Sequence, residues 1–113
     1  MIRGMTRDQY IAEVRRLIAE GERIGDRPSL AALRTWIAMS DELLRTAWGS
    51  MDRYHLSWLM VGRPPDAVRG RPMRPEEEAA YVHDVAIAKT AALRMSLKAV
   101  EEDGMPFVGE SAS

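Results

Sequence analysis

The sequence contains no cysteine and has almost no net charge, and both features narrow what the protein can do. Without a thiol, the chain cannot form disulfides or bind zinc or an iron–sulfur cluster through thiolates. Its 16 basic and 17 acidic residues leave a formal net charge of −1, so the whole chain has no electrostatic preference for nucleic acid or acidic membranes. Charges interrupt every apolar run well short of the ~20 residues that a membrane helix needs. We therefore expect a cytoplasmic protein with no membrane partner.

Sequence motifs for catalysis and cofactor binding are also lacking. There is no Gly-x-Ser-x-Gly motif, phosphate-binding glycine loop or dinucleotide fingerprint, and the chain has only 2 histidines. His55 lies on the apolar face of a predicted helix, which is typical of a core histidine held by a hydrogen bond. His83 lies on the polar face of another. We predict no metal, no cofactor and no enzymatic activity.

Three helices are predicted, at about 6–24, 30–61 and 75–103. Thr6 and Gln9 form a capping-box pattern before the first helix, and Ser29 is a suitable N-cap for the second. Apolar residues then recur every three or four positions from Leu33 to Trp58, which favours one continuous helix with a bend at Gly49.

The third helix is predicted from its first turn and its end. Pro75 suits the first helical position, the three glutamates that follow complement the helix dipole, and Gly104 is a suitable residue just beyond the C-terminus. The fold class is therefore all-α: a long antiparallel hairpin of the second and third helices with the shorter first helix against it, similar to a three-helix bundle. At 113 residues we expect one domain, residues 1–104, followed by a C-terminal tail, residues 105–113.

The two long helices have more apolar surface than the first helix can cover, which favours homo-oligomerisation. We predict a non-enzymatic interaction or assembly protein, such as a bacterial or phage adaptor, that binds a second copy or another protein. The predicted contacts are an apolar groove rich in tryptophan and methionine and the apolar tail. The candidate residues are Trp36, Trp48, Met51, Trp58, Met105 and Phe107. The tail either folds back onto the bundle or docks on another protein.

A second hypothesis concerns the loop at 63–74, which is rich in proline and arginine. In an oligomer this loop would repeat a cluster of cations able to contact nucleic-acid phosphates. Those cations are Arg63, Arg69, Arg71 and Arg74. The alternative is a solvated connector whose arginines cap helix ends and pair with the nearby glutamates.

Lys89 interrupts the apolar arc of the third helix. Two interpretations are open: its amine extends to the edge of the apolar surface, or it forms a buried pair with an acidic residue.

A third hypothesis comes from a resemblance over about a dozen residues. The sequence Leu33-Arg34-x-x-Ile37 followed by Asp41-Glu42-x-Leu44 resembles the start of the long helix in the all-α chorismate mutases. The resemblance implies that Arg34 would bind a substrate carboxylate. Met51 and Gly62 depart from the family, because they stand where it has an arginine and a lysine, which puts the activity in doubt.

Overall fold

The computed structural model describes residues 5–49, 51–61 and 72–110, and most of these residues are helical. These residues form four helices: α1 (Arg7–Asp26), α2 (Leu30–Trp48), α3 (Arg53–Leu59) and α4 (Pro75–Glu101). The one extended pairing among them is a parallel bridge between Met5 and Glu110. The all-α prediction is confirmed. None of the described helices is long and apolar enough to cross a membrane.

The predicted helix starts are confirmed. The Thr6 hydroxyl accepts the Gln9 amide at 3.1 Å, and the Gln9 side chain accepts the Thr6 amide at 2.8 Å, as a capping box requires. The Ser29 hydroxyl accepts the Ala32 amide at 3.3 Å and begins α2. α4 begins at Pro75 with three glutamates in its first turn, where negative charge is favoured.

The predicted continuous helix at 30–61 is wrong, because the chain breaks it into α2 and α3. Gly49 has φ +96° and Met51 has φ +65°, so neither residue can continue a right-handed helix. The Asp52 carboxylate then accepts the Tyr54 amide at 3.4 Å and caps α3. The apolar spacing continues across the break because α3 returns to the same core, and spacing alone does not reveal the turn. The predicted ends of the first and third helices differ from the structure by only two residues, because α1 ends at Asp26 and α4 ends at Glu101.

The main hairpin also differs from the prediction. α4 packs most extensively along α1, and its contact with α2 is smaller. The two helices are antiparallel: Tyr10 bonds Ser96 near one end, and the Gly25 carbonyl accepts the His83 Nδ1 proton at 2.7 Å near the other. Gly21 allows the close approach at the centre of this pair. α2 lies antiparallel to α1, and α3 packs on α4.

Candidate functional site

The tryptophans predicted to line an open groove are buried in the core of the single chain. Trp36, Trp48 and Trp58 are at most 5% exposed, so the prediction of an open tryptophan surface is wrong. α1 covers Trp36 and Trp48, which donate to the Leu17 carbonyl and the Tyr10 hydroxyl, and the turn after α2 folds α3 back so that Trp58 is buried as well. Phe107 is also buried, and Met105 is half-buried. Met51 is 61% exposed and remains a candidate contact.

Four aromatic rings form one cluster, which we call the aromatic cluster: Tyr10, Trp48, Tyr54 and Phe107. The Phe107 ring centroid lies 4.9 Å from that of Tyr10 and 5.7 Å from that of Trp48. The Trp48 and Tyr54 centroids are 4.4 Å apart. Residues from α1 and α2 thus contact the one ring from the tail, and contacts of this kind stabilise beyond the area they bury.

A chain of buried hydrogen bonds lies beneath this cluster. The Trp48 indole donates to the Tyr10 hydroxyl, which donates to the Ser96 hydroxyl, which donates to the Leu93 carbonyl, each at 2.8 Å. Burial raises the pKa of Tyr10, and its hydrogen bonds with Ser96 and Trp48 oppose that rise. Each side-chain polar group in this series of hydrogen bonds has a partner, as burial requires.

The described part of the tail folds back onto the bundle, which is one of the two alternatives expected for it. The Gly109 amide donates to the Ala47 carbonyl at 2.8 Å, and the Gly109 carbonyl accepts the Met5 amide at 2.9 Å. Arg7 donates to both carboxylate oxygens of Glu110 at 3.1 Å. The tail therefore joins the end of α2 to the start of α1.

His55 is a core residue with both ring nitrogens paired, as expected. Its Nδ1 accepts the Met51 amide at 2.9 Å, so the proton of the neutral ring sits on Nε2. Nε2 donates to the Asp41 carboxylate at 2.7 Å. Asp41 also accepts from Arg45 at 2.9 Å. The histidine thus fixes the turn before α3 and ties α3 to α2.

Lys89 provides the corresponding link from α4 to α3, and neither sequence interpretation describes it. Its buried amine donates to the Trp58 carbonyl at 2.7 Å and lies 4.1 Å from the centroid of the Trp58 ring. That carbonyl lies in the last turn of α3, where a cation is favoured. Burial lowers the pKa of Lys89, and the charge of Asp41 opposes the change. Among the described residues no group of acidic, histidine or cysteine side chains could hold a metal.

An open groove runs between α1 and α2, and we call it the α1–α2 groove. It consists of two adjoining cavities of about 420 and 510 Å³ that share Arg16, Leu17 and Met39. Met39 is 39% exposed, whereas Leu17 is buried beneath it. The other lining residues are Met5, Glu13, Glu20, Ala31, Ala32, Thr35, Trp36, Ala38, Glu42, Leu43 and Thr46. This surface could be found from the sequence only by knowing that α1 and α2 are neighbours.

The other predicted sites are only partly described. Arg74 is exposed at the start of α4, where its amide donates to the Glu77 carboxylate at 3.0 Å. Arg63, Arg69 and Arg71 lie outside the described residues, so the nucleic-acid hypothesis remains a prediction. Arg34 is exposed on α2, and activity of the chorismate mutase kind is likewise untested.

Comparison of the chain with models of known protein families, with curated proteins and with solved structures gave no match.

Proposed function

We propose that this protein is a non-enzymatic helical interaction protein that self-associates through the α1–α2 groove. The observation that carries the proposal is the position of Met39, an exposed methionine shared by both cavities of the groove. A flexible apolar side chain at the centre of a groove is well suited to contact a partner helix.

The exposed side of α2 in this groove allows close packing of another helix. Ala31, Thr35 and Ala38 lie on the exposed side of α2, one helical turn apart along the groove. Small side chains at this spacing leave room for another helix to approach, while Leu17 and Trp36 form an apolar base. The sequence predicts a groove with exposed tryptophan and methionine. In the α1–α2 groove the tryptophan, Trp36, is buried and the methionine, Met39, is exposed.

Charges on α1 favour a second copy of this chain as the occupant. Arg16 lies beside the groove with Glu13 one turn before it and Glu20 one turn after it. Arg16 pairs with Glu13 at 2.7 Å within its own chain, and a two-fold interface near Met39 would bring these exposed charges of both signs close to the same set in the other copy. A two-fold interface uses the same patch twice, so a surface that carries both signs of charge is self-complementary.

The size of the surface sets the expected strength. The two helices are about 30 Å long and together about 20 Å wide, which gives roughly 600 Å² per copy and 1,200 Å² in all. That total is at the lower end of stable protein interfaces. We therefore expect a dimer whose population depends on protein concentration.

Light scattering behind size exclusion tests this proposal over a hundredfold range of concentration. We expect the wild-type chain to shift from monomer to dimer and Met39→Glu to remain a monomer, because the new charge would be buried against apolar residues. Met95→Glu is the matched control, since Met95 is 58% exposed and lies on α4, away from the groove.

A wild-type monomer at every concentration overturns the proposal, as does a Met39→Glu dimer of unchanged affinity. In the monomeric case a foreign amphipathic helix becomes the better candidate for the groove. If Met95→Glu alone abolishes the dimer, the interface lies on α4 and the proposed surface is wrong.

A further inference from the structure

The tail segment, residues 105–110, occupies its site in the manner of a bound peptide. We infer that this site is an exchangeable peptide site, and that the same segment of a second copy of this chain is its partner in trans. The inference uses the aromatic cluster rather than the α1–α2 groove, and it is independent of the proposed function.

The site is built without help from the tail. Its floor is the hydrogen-bonded chain from Trp48 through Tyr10 and Ser96 to the Leu93 carbonyl, which belongs to α1, α2 and α4. No polar group of this floor depends on the tail for a partner. This floor can therefore lose its occupant without leaving one of its own buried polar groups unpaired.

The tail forms a turn, in which the Glu110 amide donates to the Phe107 carbonyl at 2.9 Å, and it binds through three kinds of contact. Phe107 is the apolar anchor against Tyr10 and Trp48. The Gly109 main chain donates to one side of the site and accepts from the other. Arg7 binds the Glu110 carboxylate through two parallel hydrogen bonds, the arrangement that gives geometric specificity.

The site also discriminates at one position of the peptide. A Cβ on residue 109 would lie 2.2 Å from the Thr46 carbonyl oxygen, so this position accepts glycine alone. Together with the anchor and the acid, this requirement defines a ligand of the form Phe-x-Gly-Glu. A second copy of the chain carries that sequence and can remake every contact.

The connection to α4 is compatible with release. Gly104 has φ +66°, and no neighbour lies within 4 Å of the place where its side chain would be. Opening would break the bond from the Met105 amide to the Ala99 carbonyl. In the closed form the tail occupies the site of its own chain, and in the exchanged form it occupies the site of a second copy through the same contacts. The ratio of the two forms therefore depends on the effective concentration of the tail at its own site, on the order of millimolar for a short linker. Wild-type chains at micromolar concentration should therefore be closed.

A charge exchange across Arg7 and Glu110 tests the inference. All variants carry Met39→Glu, so association through the α1–α2 groove does not contribute. Arg7→Glu and Glu110→Arg each place like charges in the closed form and in any exchanged pair of identical chains. When the two variants are mixed, each site matches the tail of the other chain. A chain that carries both Arg7→Glu and Glu110→Arg, which we call the double variant, restores the match within one chain.

We expect each single variant to be a monomer at 100 µM and the mixture to form a 1:1 dimer with an affinity at least tenfold above either alone. The double variant should be a closed monomer. A mixture that stays monomeric overturns the inference, and so does a mixed dimer that forms equally well when one partner is the double variant.

A second measurement applies if a single variant fails to fold. A labelled peptide of residues 104–113 is titrated into full-length Gly109→Val, whose own tail cannot enter the site, and into the wild-type chain. We expect at least tenfold tighter binding to Gly109→Val, and no binding of a peptide with Phe107→Ala. If folded Gly109→Val does not bind the peptide, or if the variant loses its helical fold, the tail is an integral part of the core and the inference is wrong.

Discussion

Gly21 on α1 and Thr90 on α4 pack so closely that no side chain fits between the two helices. A Cβ on residue 21 would lie 2.1 Å from Thr90 Oγ1 and 2.6 Å from the Trp36 ring. Thr90 and Trp36 are both buried, so neither can move aside into solvent. This contact determines how near α1 and α4 can approach, and it also positions α2 through Trp36.

Gly21→Ala should therefore lower the free energy of unfolding by about 2 kcal/mol, since overpacking outweighs the gain of up to ~1 kcal/mol in helix propensity. Gly25→Ala is the control on the same helix, because its Cβ would be 3.7 Å from Ile87, an ordinary contact. It should be neutral or stabilising by up to about 1 kcal/mol. Urea denaturation measures both, and equal effects would contradict the packing argument.

Replacement by alanine should have opposite effects on the free energy of unfolding at Ser40 and at Ser96. Both are fully buried, but the Ser40 hydroxyl has no hydrogen-bond partner, whereas Ser96 accepts from Tyr10 and donates to Leu93. Ser96→Ala should cost about 1–3 kcal/mol because it leaves the Tyr10 hydroxyl without an acceptor. Ser40→Ala should be neutral or stabilising by up to about 1 kcal/mol. If thermal unfolding shows equal losses, Ser40 has a partner such as a buried water.

Lys89 should make the free energy of unfolding depend on pH in the alkaline range. Burial lowers its pKa below the ordinary value of 10.5, so between the two values the unfolded chain binds more protons than the folded one. The free energy of unfolding should therefore rise with pH in that window, and the cost of the buried charge is fully present below the folded pKa. Tyr10 acts in the opposite direction above its ordinary value of 10.0, because burial raises its pKa.

Comparison with Lys89→Met isolates this effect, since both proteins keep Tyr10. The difference in unfolding free energy, wild type minus variant, should increase as the pH is raised from 7 towards 10. Urea denaturation at several pH values measures it. A difference that stays constant would mean that Lys89 has the same pKa in the folded and unfolded chains.

The break between α2 and α3 predicts that Gly49→Ala destabilises the protein. With φ +96° and ψ 149°, Gly49 adopts a conformation that a Cβ strains by about 1–3 kcal/mol. Circular dichroism and urea denaturation on the same variant are informative together. Unchanged stability with a stronger helical signal would mean that α2 and α3 merge into the continuous helix that the spacing predicts.

Local chemistry was readable from the sequence because it depends on neighbouring residues. Thr6 and Gln9 satisfy each other's main-chain groups three residues apart, and Ser29 and Pro75 begin helices wherever the rest of the chain lies. The paired core position of His55 follows from the helical spacing around it. These features use information contained in a few consecutive residues.

The break after Trp48 was harder to read, since an apolar stripe continues on both sides of it. Spacing reports that Trp48 and Trp58 face the core, but it does not report whether one helix or two bring them there. The Met51 amide bonds His55 and Asp52 caps α3 through local contacts, and Lys89 of α4 then binds the end of α3 from a distant part of the chain.

The sequence by itself determined the helical class, the starts of α1, α2 and α4 and the residues that prefer burial, because periodicity and capping are local properties. Only the tertiary structure decided that α4 pairs with α1, that the tryptophans fill the chain's own core, and that Phe107 returns to Tyr10. These outcomes depend on contacts between residues far apart in the chain, such as Gly21 with Thr90 and Gly109 with Thr46. Shape complementarity at such contacts selects one arrangement among several that the same apolar pattern permits.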